Sequence, residues 1–196
     1  MSRPSRTRQA KSASLPGARR GAVTLLIFVS GAVLMALEIA GSRVLAPVFG
    51  SSVFVWGSLL GIFLGAMSGG YWFGGWLSDR WPNQTLLNIL LAAAGGFTML
   101  LPLWAASLCQ ALAGGPEALV DLGPRLGPLT AALVLFALPS LLMGIASPFA
   151  IRLLARDLER VGAVAGRLYA VGTLGSIAGT LVTAFWLIPA FGVNII

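Results

Sequence analysis

Phe54-Val-Trp-Gly57-Ser-Leu-Leu-Gly61-Ile-Phe-Leu-Gly65-Ala-Met-Ser-Gly69-Gly-Tyr-Trp-Phe-Gly-Gly-Trp-Leu77 contains neither a charged residue nor a proline. A helix needs roughly 20 apolar residues to cross about 30 Å of hydrocarbon, so this stretch predicts a membrane-spanning helix. Gly57, Gly61, Gly65 and Gly69 repeat at i, i+4. Successive members drift by only about 40° around a helix of 3.6 residues per turn, and so form one groove. In lipid the hydrophobic effect does not draw helices together, and close backbone approach along small residues supplies much of the packing energy. Ala32, Ala36 and Ala40 share the spacing, as do Gly175 and Gly179. The three segments carrying these stripes are expected to touch, either as tight packing without a ligand or along a groove that slides or gates.

Outward from this stretch the composition is of the same kind. Of 196 residues, 57% are hydrophobic and 10% charged, and the mean hydropathy is +0.90; soluble domains carry about 25% charged residues. Apolar runs between charges and prolines give an all-α, polytopic membrane helix bundle of five spans, at about residues 22–45, 54–77, 86–108, 129–151 and 163–188. Residues 1–21 form a basic cytoplasmic tail without fixed structure, and residues 22–196 the transmembrane domain. Pro47 and Pro189 are expected to stop the first and fifth spans, Pro139 to kink the fourth, and Pro148 to act likewise near its inner end.

Thirteen Lys and Arg against six Asp and Glu give a net charge of +7. That balance resembles a nucleic-acid binder's, but position overrules it. Arg3, Arg6, Arg8, Lys11, Arg19 and Arg20 precede the first span, and the other bases cluster at Arg80 and in the run Arg152, Arg156, Arg160 and Arg167, while the opposite loops offer only Arg125 plus Arg43 at a helix end. Positive charge marks the cytoplasmic side, so the N-terminus is expected inside and Ile196 outside, with no nucleic-acid partner. A transit or signal peptide is the alternative for the tail, although the first span is long for a signal sequence. Asn83-Gln84-Thr85 fits a glycosylation sequon on the wrong side of the membrane. The chain has no His and one Cys, Cys109, which excludes a His-based triad, a Cys/His zinc site and an intrachain disulfide. No catalytic, cofactor-binding or metal-ligating set is expected.

Glu38 lies about 24 Å along the first helix from the inner interface. A carboxylate at depth faces protein or water rather than lipid. Arg43, about 140° further round, is badly angled for an intrahelical pair. The two form a candidate intramembrane polar site, open to a structural polar contact or to a cation or proton site. Arg152, Arg156 and Arg160 share one helical face, as an anchor to anionic headgroups or a docking face for a cytoplasmic domain.

Leu37-Glu38-Ile39-Ala40-Gly41-Ser42-Arg43-Val44-Leu45-Ala46-Pro47, the glycines from Gly57 to Gly70, the Leu77-Ser78-Asp79-Arg80 turn, Leu142-Met143-Gly144-Ile145-Ala146-Ser147-Pro148 and the stretch from Arg152 to Gly179 together resemble the membrane domain of spermidine synthase-like integral membrane proteins, described as fused major-facilitator/spermidine synthase. The resemblance implies residence in a bacterial inner (plasma) membrane, a polyamine-related role, and an aminopropyltransferase-like cytoplasmic domain following the helices. No such domain is expected in residues 1–196, and Gly172 to Gly179 lacks the strand and the acidic residue that a nucleotide-binding fingerprint requires. The chain is therefore expected to be non-catalytic, with that domain supplied in trans or by a longer chain, and with the lipid bilayer and a polyamine as further partners. Gly75-Trp76-Leu77-Ser78-Asp79-Arg80 also resembles a cytoplasmic loop motif of major-facilitator transporters. A transporter fragment and a membrane scaffold are the alternatives.

Overall fold

The computed structural model describes residues 17–113, 122–155 and 161–191. Among them there are only helices and short connections. Helix α1 spans Gly17–Phe49, α2 Val53–Arg80, α3 Gln84–Leu112, α4 Gly123–Gly144, α5 Ala146–Leu154 and α6 Val161–Val182. A π-helical turn, Thr183–Leu187, joins α6 to α7, Ile188–Phe191. Five stretches are long and apolar enough to cross a membrane: Arg19–Phe49, Val53–Arg80, Gln84–Leu112, Gly123–Leu154 and Val161–Phe191. The chain is thus an all-α, multi-pass bundle.

The helix ends follow local chemistry. Gly50, at φ 74°, closes α1 in the left-handed conformation that a side chain would oppose, and its N–H bonds to the Ala46 carbonyl at 2.9 Å. The Ser52 hydroxyl accepts from the Val55 N–H and caps α2. Asn83 Oδ1 accepts from the Thr85 N–H at 2.9 Å and caps α3, which gives the sequon asparagine a structural role.

Two prolines act differently from expectation. Pro47 lies inside α1, which runs to Phe49. Pro139 lies within the continuous helix α4, and the fourth span breaks at Ile145, between α4 and α5. The cause is Pro148, whose ring opposes the carbonyl of residue 144 and which has no N–H to give it. Pro189 does not stop the fifth span. Upstream of it the helix widens, with the Ile188 N–H bonded to the Thr183 carbonyl, and this i→i−5 pairing makes room for the ring near residue 185.

The fourth span is the centre of the bundle. Within its most apolar window 56% is buried, against 17–28% for the other four. Helix α2 lies along α4, α3 and α1 pack on its other sides, and α6 lies along α1 and touches α5. One apolar cluster gathers Leu37, Leu59, Phe63, Leu101, Leu135 and Phe136, with the Phe63 and Phe136 rings stacked at 5.5 Å. A second, toward the end carrying Arg80 and Arg152, gathers Val23, Ile27, Leu77, Leu87, Ile145, Phe149 and Leu168. Large apolar side chains such as Trp72, Met99, Leu103 and Phe185 point outward, which suits a hydrocarbon solvent and no aqueous one.

Candidate polar sites within and at the ends of the bundle

Small residues decide where backbones meet. A Cβ added at Gly175 would fall on the Phe28 carbonyl, and one at Gly179 would fall on the Ala32 carbonyl and 2.6 Å from the Ala32 Cα. Residues 28 and 32 thus pair with 175 and 179, so α1 and α6 run parallel. A Cβ at Gly31 would strike the Gly172 carbonyl, and the Ser176 hydroxyl donates to the Gly31 carbonyl at 3.3 Å. Between α2 and α4, a Cβ at Gly70 would strike the Leu141 carbonyl, and one at Gly74 would lie 2.8 Å from the Ile145 Cα. The glycine groove is corrected by this packing. Gly57, Gly61 and Gly65 have nothing within 4 Å of an added Cβ, and Gly69 meets only a Leu141 methyl at 3.7 Å. The first and fifth spans do touch along their small residues, but no described helix occupies the groove of the second.

Glu38 lies on α1 half-buried, and among the described residues it has neither a hydrogen bond nor an ion pair. Arg43 is exposed and does not pair with it. Glu38 is seven residues beyond Gly31, only about 20° round the helix, and so lies on the flank of α1 that meets α6. An uncompensated carboxylate at membrane depth costs on the order of 2.5–3.5 kcal/mol on insertion scales.

Two hydroxyls escape notice in the sequence. Ser140 Oγ on α4 and Thr183 Oγ1 in the π turn are buried without a hydrogen-bond partner among the described residues, their residues 0% and 1% exposed. Serines and threonines in helices ordinarily bond back to a carbonyl three or four residues earlier. Ser42 bonds in this way to Ile39, Ser58 to Phe54 and Thr98 to Ala94. Nothing in the residue types separates Ser140 and Thr183 from these, so only packing singles them out. Thr183 continues the row of Gly175 and Gly179 that faces α1, and the π turn stays beside α1.

At the basic end, Arg152 Nε lies 3.2 Å from Asp79 Oδ1, with the side chains 53% and 75% exposed. This pair ties the α2–α3 turn to the end of α5. Arg156 and Arg160, the rest of the expected docking face, lie outside the described residues. At the opposite end, the Arg125 guanidinium sits 5.6 Å from the Phe54 ring centroid and links the starts of α4 and α2. Cys109 is a buried free thiol, and no group of three or more His, Cys, Asp or Glu side chains that could hold a metal occurs among the described residues. No family model, curated protein or solved structure matches the chain.

Proposed function

We propose that this chain is the non-catalytic membrane domain of a spermidine synthase-like integral membrane protein, with its basic end in the cytoplasm of a bacterial inner membrane, where an aminopropyltransferase-like domain docks. The observation that carries the proposal is that the stretches bearing the resemblance interlock. A Cβ at Gly70 would lie 3.0 Å from the Gly144 Cα, and Asp79 of the turn pairs with Arg152. Lys and Arg excess at that end supports the orientation, and exposed arginine offers a soluble domain an electrostatic foothold. A polyamine is the ligand class in keeping with this role.

The test is liposome flotation with an aminopropyltransferase-like domain encoded beside this chain. The domain should float with proteoliposomes at low salt and be released as salt rises, and replacing Arg152, Arg156 and Arg160 by Gln should weaken association at least tenfold. A domain that never associates would refute docking. Turnover of decarboxylated S-adenosylmethionine and putrescine by residues 1–196 above an empty-liposome control would refute the non-catalytic assignment. Transport is the alternative, favoured by the break of the central span at Ile145, since interrupted helices line translocation sites. Spermidine uptake into proteoliposomes would favour it.

A further inference from the structure

We propose that the α1–α6 interface binds a monovalent cation between the Glu38 carboxylate and the Thr183 hydroxyl. This inference rests on that interface alone and uses neither the docking of a soluble domain nor the orientation of the chain. Along the parallel pair, Gly31 lies against Gly172 and Ser176, and the Ser176 hydroxyl is satisfied by the Gly31 carbonyl. One heptad outward on both helices, Glu38 replaces Gly31 and Thr183 replaces Ser176. Seven residues bring a helix back to within about 20° of the same face, so the equivalent flank now carries a carboxylate on one side and a hydroxyl on the other. Side chains of a helix lean toward its N-terminus, which carries the Glu38 carboxylate back toward the level of Ala36, the residue opposite Thr183 if the pairing of 28 with 175 and 32 with 179 continues.

Neither group has a partner among the described residues. Thr183 Oγ1 is buried and unbonded, and Glu38 has no ion pair. The helix at this level is also irregular. The π turn begins at Thr183, and such turns, with shifted carbonyl pairing, recur at functional sites. Oxygen donors of this kind suit a hard cation. The charge follows from the inventory. Of the six acidic residues, Glu38 alone lies in the interior of a span, Asp79 being next to the last residue of α2, so one negative charge balances one positive charge. An alkali ion and the ammonium group of an amine satisfy this chemistry equally.

The test is thermal unfolding of the purified full chain in detergent, in sodium chloride, in choline chloride of equal ionic strength, and in choline chloride with added spermidine. At a ligand concentration a hundred times its Kd, the wild type should gain about 5 to 10 °C in Tm. Glu38→Gln and Thr183→Val should abolish the gain, and Thr183→Ser should keep it. Thr183→Val removes an unbonded hydroxyl at constant shape and is expected to fold, so it decides the matter even if Glu38→Gln does not. Stabilisation by sodium identifies an inorganic ion as the ligand. Stabilisation by spermidine alone, with the same dependence on the variants, identifies an ammonium group. A wild type indifferent to both, or a Thr183→Val protein that keeps the gain, overturns the proposal.

Discussion

Gly179→Ala adds one methyl group where α1 and α6 are closest. The new Cβ would stand 2.6 Å from the Ala32 Cα and 2.7 Å from its carbonyl carbon, with the carbonyl oxygen nearer still. These are backbone atoms of a helix, so no side-chain rotation relieves the overlap. Widening 2.6 Å to the 3.4 Å at which ordinary van der Waals packing begins already asks for 0.8 Å at the Ala32 Cα, and the nearer carbonyl oxygen demands that the two backbones move apart by more than this. A gap of 0.5–1 Å already forfeits roughly a quarter to a half of the dispersion well for each atom pair it opens. Overpacking of this kind costs about 1–3 kcal/mol. Gly61→Ala is the matched control, because its Cβ would meet nothing within 4 Å, and alanine favours a helix over glycine by up to about 1 kcal/mol in water. Thermal unfolding in detergent should therefore rank Gly61→Ala at or above wild type and Gly179→Ala below it. Leucine at the two positions should widen the difference. If Gly179→Ala is as stable as wild type, or Gly61→Ala loses as much, the assignment of the packing stripes is wrong.

Asp79→Asn should change stability by less than about 1 kcal/mol, since the Asp79–Arg152 pair is largely exposed; calorimetric unfolding at low and high salt checks this, and a larger loss would mean that the pair is shielded from solvent. Ser140→Ala should leave stability equal or higher, because the Oγ is buried without a partner and such a group costs about 1–3 kcal/mol; a clear loss in a detergent melt would reveal a hidden bond. Cys109, fully buried on α3, should resist maleimide labelling until the protein unfolds, and rapid labelling of the native protein would contradict its place in the core. With Cys109 replaced by Ala, cysteines introduced at Ser51 and Asn83 should label from opposite sides of a proteoliposome, the turns they occupy lying at opposite ends of α2.

The five spans were legible in the residues alone, because hydrocarbon thickness sets a length and backbone hydrogen bonding permits only helix over that length. The alternation of spans followed from Lys and Arg position, and the Asp79–Arg152 pair joins two of the basic segments at one end. Partner choice was not legible. Gly57, Gly61 and Gly65 carry the same spacing as Gly175 and Gly179, yet the first set faces outward and the second meets Phe28 and Ala32. A small-residue stripe permits close approach of backbones but does not specify which helix approaches, since lipid drives neither choice by hydrophobicity. The prolines were legible in part. The break at Ile145 follows from Pro148, whose ring opposes the residue 144 carbonyl, whereas the seating of Gly144 against the backbone of Met67 and Gly70 was decided by packing. Ser140 and Thr183 differ from the other hydroxyls of the spans only in what surrounds them. Glu38 stood out in the sequence because charge at depth is costly whatever the fold. That it lies on the flank shared with α6 was decided by the parallel pairing of α1 and α6, which joins residues almost 150 positions apart and is encoded by no local pattern.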